Sequence, residues 1–278
     1  MLRIENVSKR YPNGTLALEE ADLHIEEGDF VTILGPSGAS KSTLLRIING
    51  LVDPTGGKLR FDGVELTGAG HKELRSARRR IGFIFQQFNL IKRLSVLKNV
   101  LAGRLGYGKT VKTFCHMFSK DDSERALDCL SSVGMSQCAH QRADTLSGGQ
   151  QQRVAVARAL VQEPKLILAD EPIASIDPRS ADVVMGLLKK VNEERGITIM
   201  VNLHFVDYAR RYSKRVIGIN SGRIVFDGPV SKLSVSLVEE IYAGNGKRRS
   251  YNEQEFYGAG LAEEFGRPVF VPETKTIN

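Results

Sequence analysis

Four short stretches of the chain are almost entirely apolar or β-branched: residues 30–34, 81–85, 166–169 and 197–201. Runs of this length, rich in Ile, Val, Leu and Phe, predict strands buried on both faces of a parallel sheet. The opening of the chain reads differently. Leu2, Ile4 and Val7 roughly alternate with polar neighbours, and Tyr11-Pro12-Asn13-Gly14 turns the chain. Leu16, Leu18, Leu23 and Ile25 then predict a second pair of strands, and residues 58–61 a short strand closed by Asp62-Gly63. Alternation of this kind predicts an antiparallel layer.

Between the buried strands the period changes to that of helices. Residues 43–49 form a helix stopped by Gly50, and Ser95 caps one over 96–101. Ser123 is the expected cap of a helix over 124–133, with Gly134 as its stop. Val154, Ala157, Leu160 and Val161 share one helical face before Pro164 ends the element. Asp177 and Pro178 open a further helix, with Val183, Val184, Leu187, Leu188 and Val191 along it and Gly196 at its close. Residues 215–219 and 223–226 straddle Asn220-Ser221-Gly222 as a hairpin. The expected fold is therefore α/β: a mostly parallel core sheet, an antiparallel β layer and a helical subdomain over about 87–163. One domain is expected over 1–245, and residues 246–278 read as a poorly packed, tail-like extension.

Composition narrows the picture only a little. With 41% hydrophobic and 26% charged residues, the 278-residue chain is an ordinary globular one. Its net charge of +7 is spread along the sequence, with small clusters at Arg78-Arg79-Arg80 and Lys247-Arg248-Arg249, so no nucleic-acid partner is expected. Cys115, Cys129 and Cys138 make neither a disulfide framework nor a zinc-ligand spacing, and read as free thiols in a reducing compartment. The first residues enter a strand pattern without a signal-peptide segment, and no apolar run approaches the roughly 20 residues that cross a bilayer. A soluble chain able to dock on a membrane protein is expected.

The chemistry concentrates after the first buried strand, in Gly35, Pro36, Ser37, Gly38, Ala39, Ser40, Lys41, Ser42 and Thr43. Strand, glycine-containing loop, Lys-Ser and helix is an arrangement that holds a nucleoside triphosphate. Loop amides and the helix N-terminus favour negative charge; Lys41 would reach the β- and γ-phosphates and the Ser42 hydroxyl would ligate Mg²⁺. Ser40 stands where the usual G-x-x-x-x-G-K-[ST] pattern has glycine. If that position needs a positive φ, serine costs about 1–2 kcal/mol; if its Cβ meets a phosphate, the cost is larger. Gly35, Gln86, Asp170 and His204 each follow a buried strand, and strand ends of a parallel sheet converge on one edge.

Together with Leu146-Ser147-Gly148-Gly149-Gln150 and the apolar strand ending in Asp170-Glu171, this order resembles an ABC ATPase cassette over residues 1–240. The resemblance implies a P-loop NTPase fold, ATP and Mg²⁺ as cofactors, and a set of roles. Tyr11 would stack on adenine. Asp170 and Gln86 would join Ser42 at the metal, with Gln87 the neighbouring candidate. Glu171 would polarise the attacking water and His204 would bond the γ-phosphate. Ser147, Gly148, Gly149 and Gln150 would cap the ATP of a second copy, and Asp177 would link the two subunits, although capping its own helix accounts for it equally well.

Phe85-Gln86-Gln87-Phe88-Asn89-Leu90, His140-Gln141-Arg142 and the aromatic segment around 114–118 further resemble the ATPase subunit of bacterial phosphonate importers. That resemblance implies ATP-powered solute import, a homodimer, integral membrane permease subunits, an indirect periplasmic solute-binding protein, and a place on the cytoplasmic face of the inner membrane. Importers of phosphite, phosphate or polar amino acids, a non-transport ABC ATPase, and a regulatory subunit with impaired hydrolysis remain alternatives.

Overall fold

The computed structural model describes residues 1–107 and 118–243. The extension 246–278, the middle of the aromatic segment and Cys115 lie outside the described residues. β1 (Leu2–Arg10), β2 (Leu16–Ile25), β4 (Gly56–Phe61) and β5 (Val64–Glu65) form a four-stranded antiparallel sheet in the order β2-β1-β4-β5. β3 (Phe30–Leu34), β6 (Ile81–Ile84), β7 (Leu166–Asp170), β8 (Thr198–Asn202), β9 (Arg215–Asn220) and β10 (Arg223–Pro229) form a six-stranded sheet in the order β10-β9-β3-β8-β7-β6. All its pairings are parallel except the edge hairpin of β9 and β10.

The unbroken apolar runs follow from what lies on each face of that sheet. Val31, Ile33, Leu166, Leu168 and Met200 face a core shared with Leu2, Ile4 and Leu18 of the antiparallel layer and with Leu44 and Ile48. Their neighbours Leu34, Ile167, Ala169, Ile199 and Val201 face a second core built with helices, among them Val154, Val184 and Leu188. A strand between two cores has no solvent face, so the regular alternation of polar positions is lost and the few polar residues that remain, such as Thr32 and Thr198, are buried.

The described helices are α1 (Lys41–Ile48), α2 (His71–Arg79), α3 (Val96–Leu101), α4 (Lys120–Ser132), α5 (Gly148–Leu160), α6 (Pro178–Arg195), α7 (Val206–Tyr212) and α8 (Val235–Tyr242). α3, α4 and α5 pack on one another as the helical region. Ser95 caps α3 and Asp177 caps α6 as expected. Three elements differ from the sequence reading. β2 is one strand, not a pair: irregular pairing with β1 and a left-handed Glu20 interrupt its alternation without ending it. α4 starts at Lys120 under a Ser119 cap, because Asp121 and Asp122 suit its first turn electrostatically before any apolar residue appears. α2 escapes hydrophobic patterning because Ala77 is its only buried residue.

Candidate active site

The register of the large sheet brings its carboxyl ends together: Asp170 pairs with Asn202, Ile33 also pairs with Asn202, and Leu34 with Gly218. The loop leaving β3 turns at Gly35, where φ is +153° and any Cβ would overlap the Ile219 carbonyl oxygen, so only glycine fits. Ser40 precedes α1 at φ 76°, ψ 19° and its side chain makes no capping hydrogen bond. The position does require the left-handed region, so the serine carries a strain of about 1–2 kcal/mol. Lys41, 4% exposed, lies along the loop and its Nζ donates to the carbonyls of Gly35 (2.6 Å) and Pro36 (3.1 Å). Burial lowers the Lys41 pKa, and the charges of Glu171 and Asp170 oppose that fall. Tyr11 reaches the same helix, its hydroxyl 3.5 Å from Thr43 Oγ1.

Opposite the loop, Asp170 Oδ1 accepts from Ser42 Oγ at 2.7 Å and from Asn202 Nδ2 at 2.8 Å. The Asn202 Oδ1 beside it is buried without a hydrogen-bond partner among the described residues. Glu171 adopts φ 50°, a strained conformation of the kind found at working sites, and its Oε1 is 2.6 Å from His204 Nε2. Three polar groups thus stand at the sheet edge: Lys41 on its loop carbonyls, Asp170 with Ser42 and Asn202, and Glu171 with His204, and the charges of both carboxylates are felt at Lys41.

Other expected site residues stand apart. Gln86 is exposed and makes none of the side-chain hydrogen bonds among the described residues. Behind it the chain turns through left-handed Phe88 and Asn89, whose carbonyls both accept from the Arg158 guanidinium of α5, at 2.8 Å for Phe88. Ser147 caps α5 in a reciprocal box: its Oγ accepts from Gln150 N at 3.3 Å, and Gln150 Oε1 accepts from Ser147 N at 2.9 Å. A Cβ at Gly149 would come within 2.6 Å of Ser180 Cβ, so glycine there lets the starts of α5 and α6 touch. Asp177 accepts from Ser180 N at 3.0 Å, and these Ser180 bonds hold its carboxyl below the usual range. None of the signature's described hydrogen bonds reaches the phosphate loop.

Sequence reasoning missed two residues of the cluster's surroundings. Asn202 left a readable trace, a polar residue just after an unbroken apolar strand. Arg158 left none, because its partners lie in a turn about 70 residues earlier.

A glycine turn ahead of a helix N-terminus, a buried lysine, a hydroxyl–carboxylate pair and a carboxylate–imidazole pair at one sheet edge define a phosphate-binding α/β protein of the nucleotide-hydrolysing kind. The family model of the ABC transporter matches residues 18–174, and the chain belongs to that family. It is 53% identical over 263 residues to the phosphonates import ATP-binding protein PhnC of Shouchella clausii, covering 95% of this chain and 97% of that one. The protein of the same name from Lactobacillus johnsonii is 51% identical, over 89% of this chain and 98% of its own. Among solved structures, the dimeric post-hydrolysis ATP-binding cassette MJ0796 bound to ADP and Pi is 40% identical with a TM-score of 0.74, over 83% of this chain and 99% of that one. A nucleotide-free ATP-binding cassette from an ABC transporter is 28% identical with a TM-score of 0.77, over 88% and 99%. The fold is that of an ABC ATPase cassette.

Proposed function

We propose that this chain is the ATP-hydrolysing subunit of a phosphonate importer, working as a homodimer on the cytoplasmic face of the inner membrane. The observation that carries the proposal is the gathering of Lys41, the Ser42–Asp170 pair and the Glu171–His204 pair at the carboxyl edge of the sheet. The substrate class is taken from the relatives named above, since the solute itself never meets this subunit.

In this reading the amides of residues 35–43 and the Lys41 ammonium bind the triphosphate, and Tyr11 stacks on the base. On binding, phosphate oxygens replace the Gly35 and Pro36 carbonyls as partners of Lys41. The metal donors fit Mg²⁺: Ser42 and Asp170 offer hard oxygens 2.7 Å apart, with Gln86 able to approach from its exposed loop. When bound, that ion neutralises charge on the β- and γ-phosphate oxygens. Glu171 accepts the proton of the attacking water as its oxygen bonds to the γ-phosphorus and the bond to ADP breaks. His204 leaves Glu171 to donate to the γ-phosphate, which frees the carboxylate for that task. Ser147, Gly148, Gly149 and Gln150 close the site of a second copy, and Asp177 stands between the two.

Residues 1–245 act as one ATPase domain with a helical part over 87–163, followed by an extension. A cavity of about 500 Å³ opens where that helical part meets the core, floored by Phe83 and Phe85 and walled by His71, Arg75 and Arg78. An apolar floor under a cationic wall suits a permease segment bearing apolar and acidic side chains. A periplasmic solute-binding protein acts on the permease, not here. The test is uptake of methylphosphonate by vesicles holding the assembled transporter. Uptake that needs internal ATP and is lost with Glu171→Gln supports the proposal; equal ATP-driven uptake of phosphite, phosphate or a polar amino acid, without methylphosphonate, overturns the substrate assignment.

A further inference from the structure

The last described helix reaches back to the site. α8 is capped by Ser234, and its final turn is held by Asn220, whose Nδ2 donates to the carbonyls of Glu240 (3.2 Å) and Ala243 (2.8 Å). Val238 and Ile241 join the same core as Leu203, Val206 and Ala209, the residues flanking His204 in sequence. Gly218 of β9 makes room for this: a Cβ there would lie 2.6 Å from Ile241 Cγ1. From this seated helix Tyr242, 9% exposed, donates its hydroxyl proton to the His204 carbonyl at 3.0 Å.

The loop so held has few other fixings. Leu203 N donates to Ile33 O of the central strand at 3.0 Å, one residue before the histidine. Phe205, one residue after it, gives α7 no side-chain cap and is 53% exposed. The main chain at 204 is therefore pinned between the central strand on one side and the terminal helix on the other. The imidazole leaves that point to meet Glu171 at 2.6 Å. A carbonyl released from Tyr242 would let the 204 peptide rotate, and the imidazole with it.

We propose that Tyr242 is a positioning residue for ATP hydrolysis, holding through the His204 carbonyl the main chain from which the imidazole must reach either Glu171 or the γ-phosphate. Its role is to limit the histidine's exchange between those partners to side-chain torsions, keeping the reacting groups in a productive arrangement. This rests on the reading of His204 and Glu171 given above.

The test uses the full chain assembled with its permease and compares native, Tyr242→Phe, His204→Ala and the double variant by steady-state ATP hydrolysis. Phenylalanine keeps the buried ring and removes only the hydroxyl. Tyr242→Phe is expected to lower kcat about fivefold with KM for ATP within about twofold, and to have no further effect when His204 is already alanine. A purely structural hydroxyl would multiply the loss in both backgrounds, and that result overturns the proposal. So does an unchanged kcat in Tyr242→Phe beside an impaired His204→Ala. A His204→Ala chain as active as the native one refutes the reading of the site itself, and the positioning role falls with it.

Discussion

Among the described residues two helix N-termini, those of α1 and α5, are suited to phosphate, and they are finished in opposite ways. α5 begins under a complete reciprocal box in which Ser147 and Gln150 satisfy each other's amides. α1 begins at a left-handed serine with no side-chain cap, beside a lysine that borrows the carbonyls of its own loop. The first end has its Ser147 and Gln150 amides satisfied within the chain. The second is strained and provisionally satisfied, which is the condition of a site built to be filled by a ligand. Position in the fold agrees: the α1 end lies among the strand ends with Asp170, Glu171 and His204, whereas the α5 end packs on the start of α6.

The contrast is tested most severely by turnover. Lys41→Ala is expected to lower ATP hydrolysis at least about 10³-fold and to weaken ATP binding with it, because the ammonium is the only cationic side chain in the loop. Gly148→Asp, which sets a carboxylate at the other helix end, should cut turnover of the assembled transporter about 100-fold while ATP binding by the isolated chain, followed by calorimetry, stays unchanged. Comparable weakening of binding by both variants would erase the distinction.

Stability sharpens it further. Gly149→Ala drives a methyl against Ser180 and should lower the unfolding free energy by about 1–3 kcal/mol in urea denaturation. Gly148→Ala meets Ile176 Cγ2 at 3.4 Å, an ordinary contact, and should cost far less. At the caps themselves the signs diverge. Ser147→Ala should destabilise by about 1 kcal/mol, whereas Ser40→Gly should stabilise by up to about 1 kcal/mol.

The smallest effect concerns pH. Burial lowers the Lys41 pKa below its ordinary 10.5, so between the two values the unfolded chain binds more protons than the folded one. Stability therefore rises with pH across that window. Relative to Lys41→Met, the native chain should gain unfolding free energy as the pH rises toward 10.5; a constant difference would mean the amine is not desolvated by the fold.

Most of the sheet and most of the cluster were legible because they rest on local pattern. Residues 30–34 and 166–169 are buried on both faces, and the polar residue among them, Thr32, is β-branched and still reads as strand. Lys41, Asp170 and His204 follow such strands and could be placed by chain order alone. The failures share the opposite property. α2 is held by Ala77 and by arginine contacts to loop carbonyls, which leave no hydrophobic period. The start of α4 is fixed by Ser119 and two aspartates, not by apolar residues. Arg158 and Tyr242 act on main-chain carbonyls far away in sequence, and a carbonyl has no residue type to betray it. In sequence Cys129 reads simply as a free thiol; burial, which pushes its pKa up to about 11, makes it an inert one.

In the proposed dimer, the uncapped end of α1 in one copy is completed by the capped end of α5 in another. Mixed transporters answer it directly: one copy carries Lys41→Ala and its partner Gly148→Asp. Each variant paired with itself should be inactive. If the sites are composite, the mixed pair contains one site with both defects and one with neither, and ATP hydrolysis returns. If each site draws its loop and its signature from the same chain, both sites of the mixed pair are damaged, and absence of turnover on mixing would contradict the account.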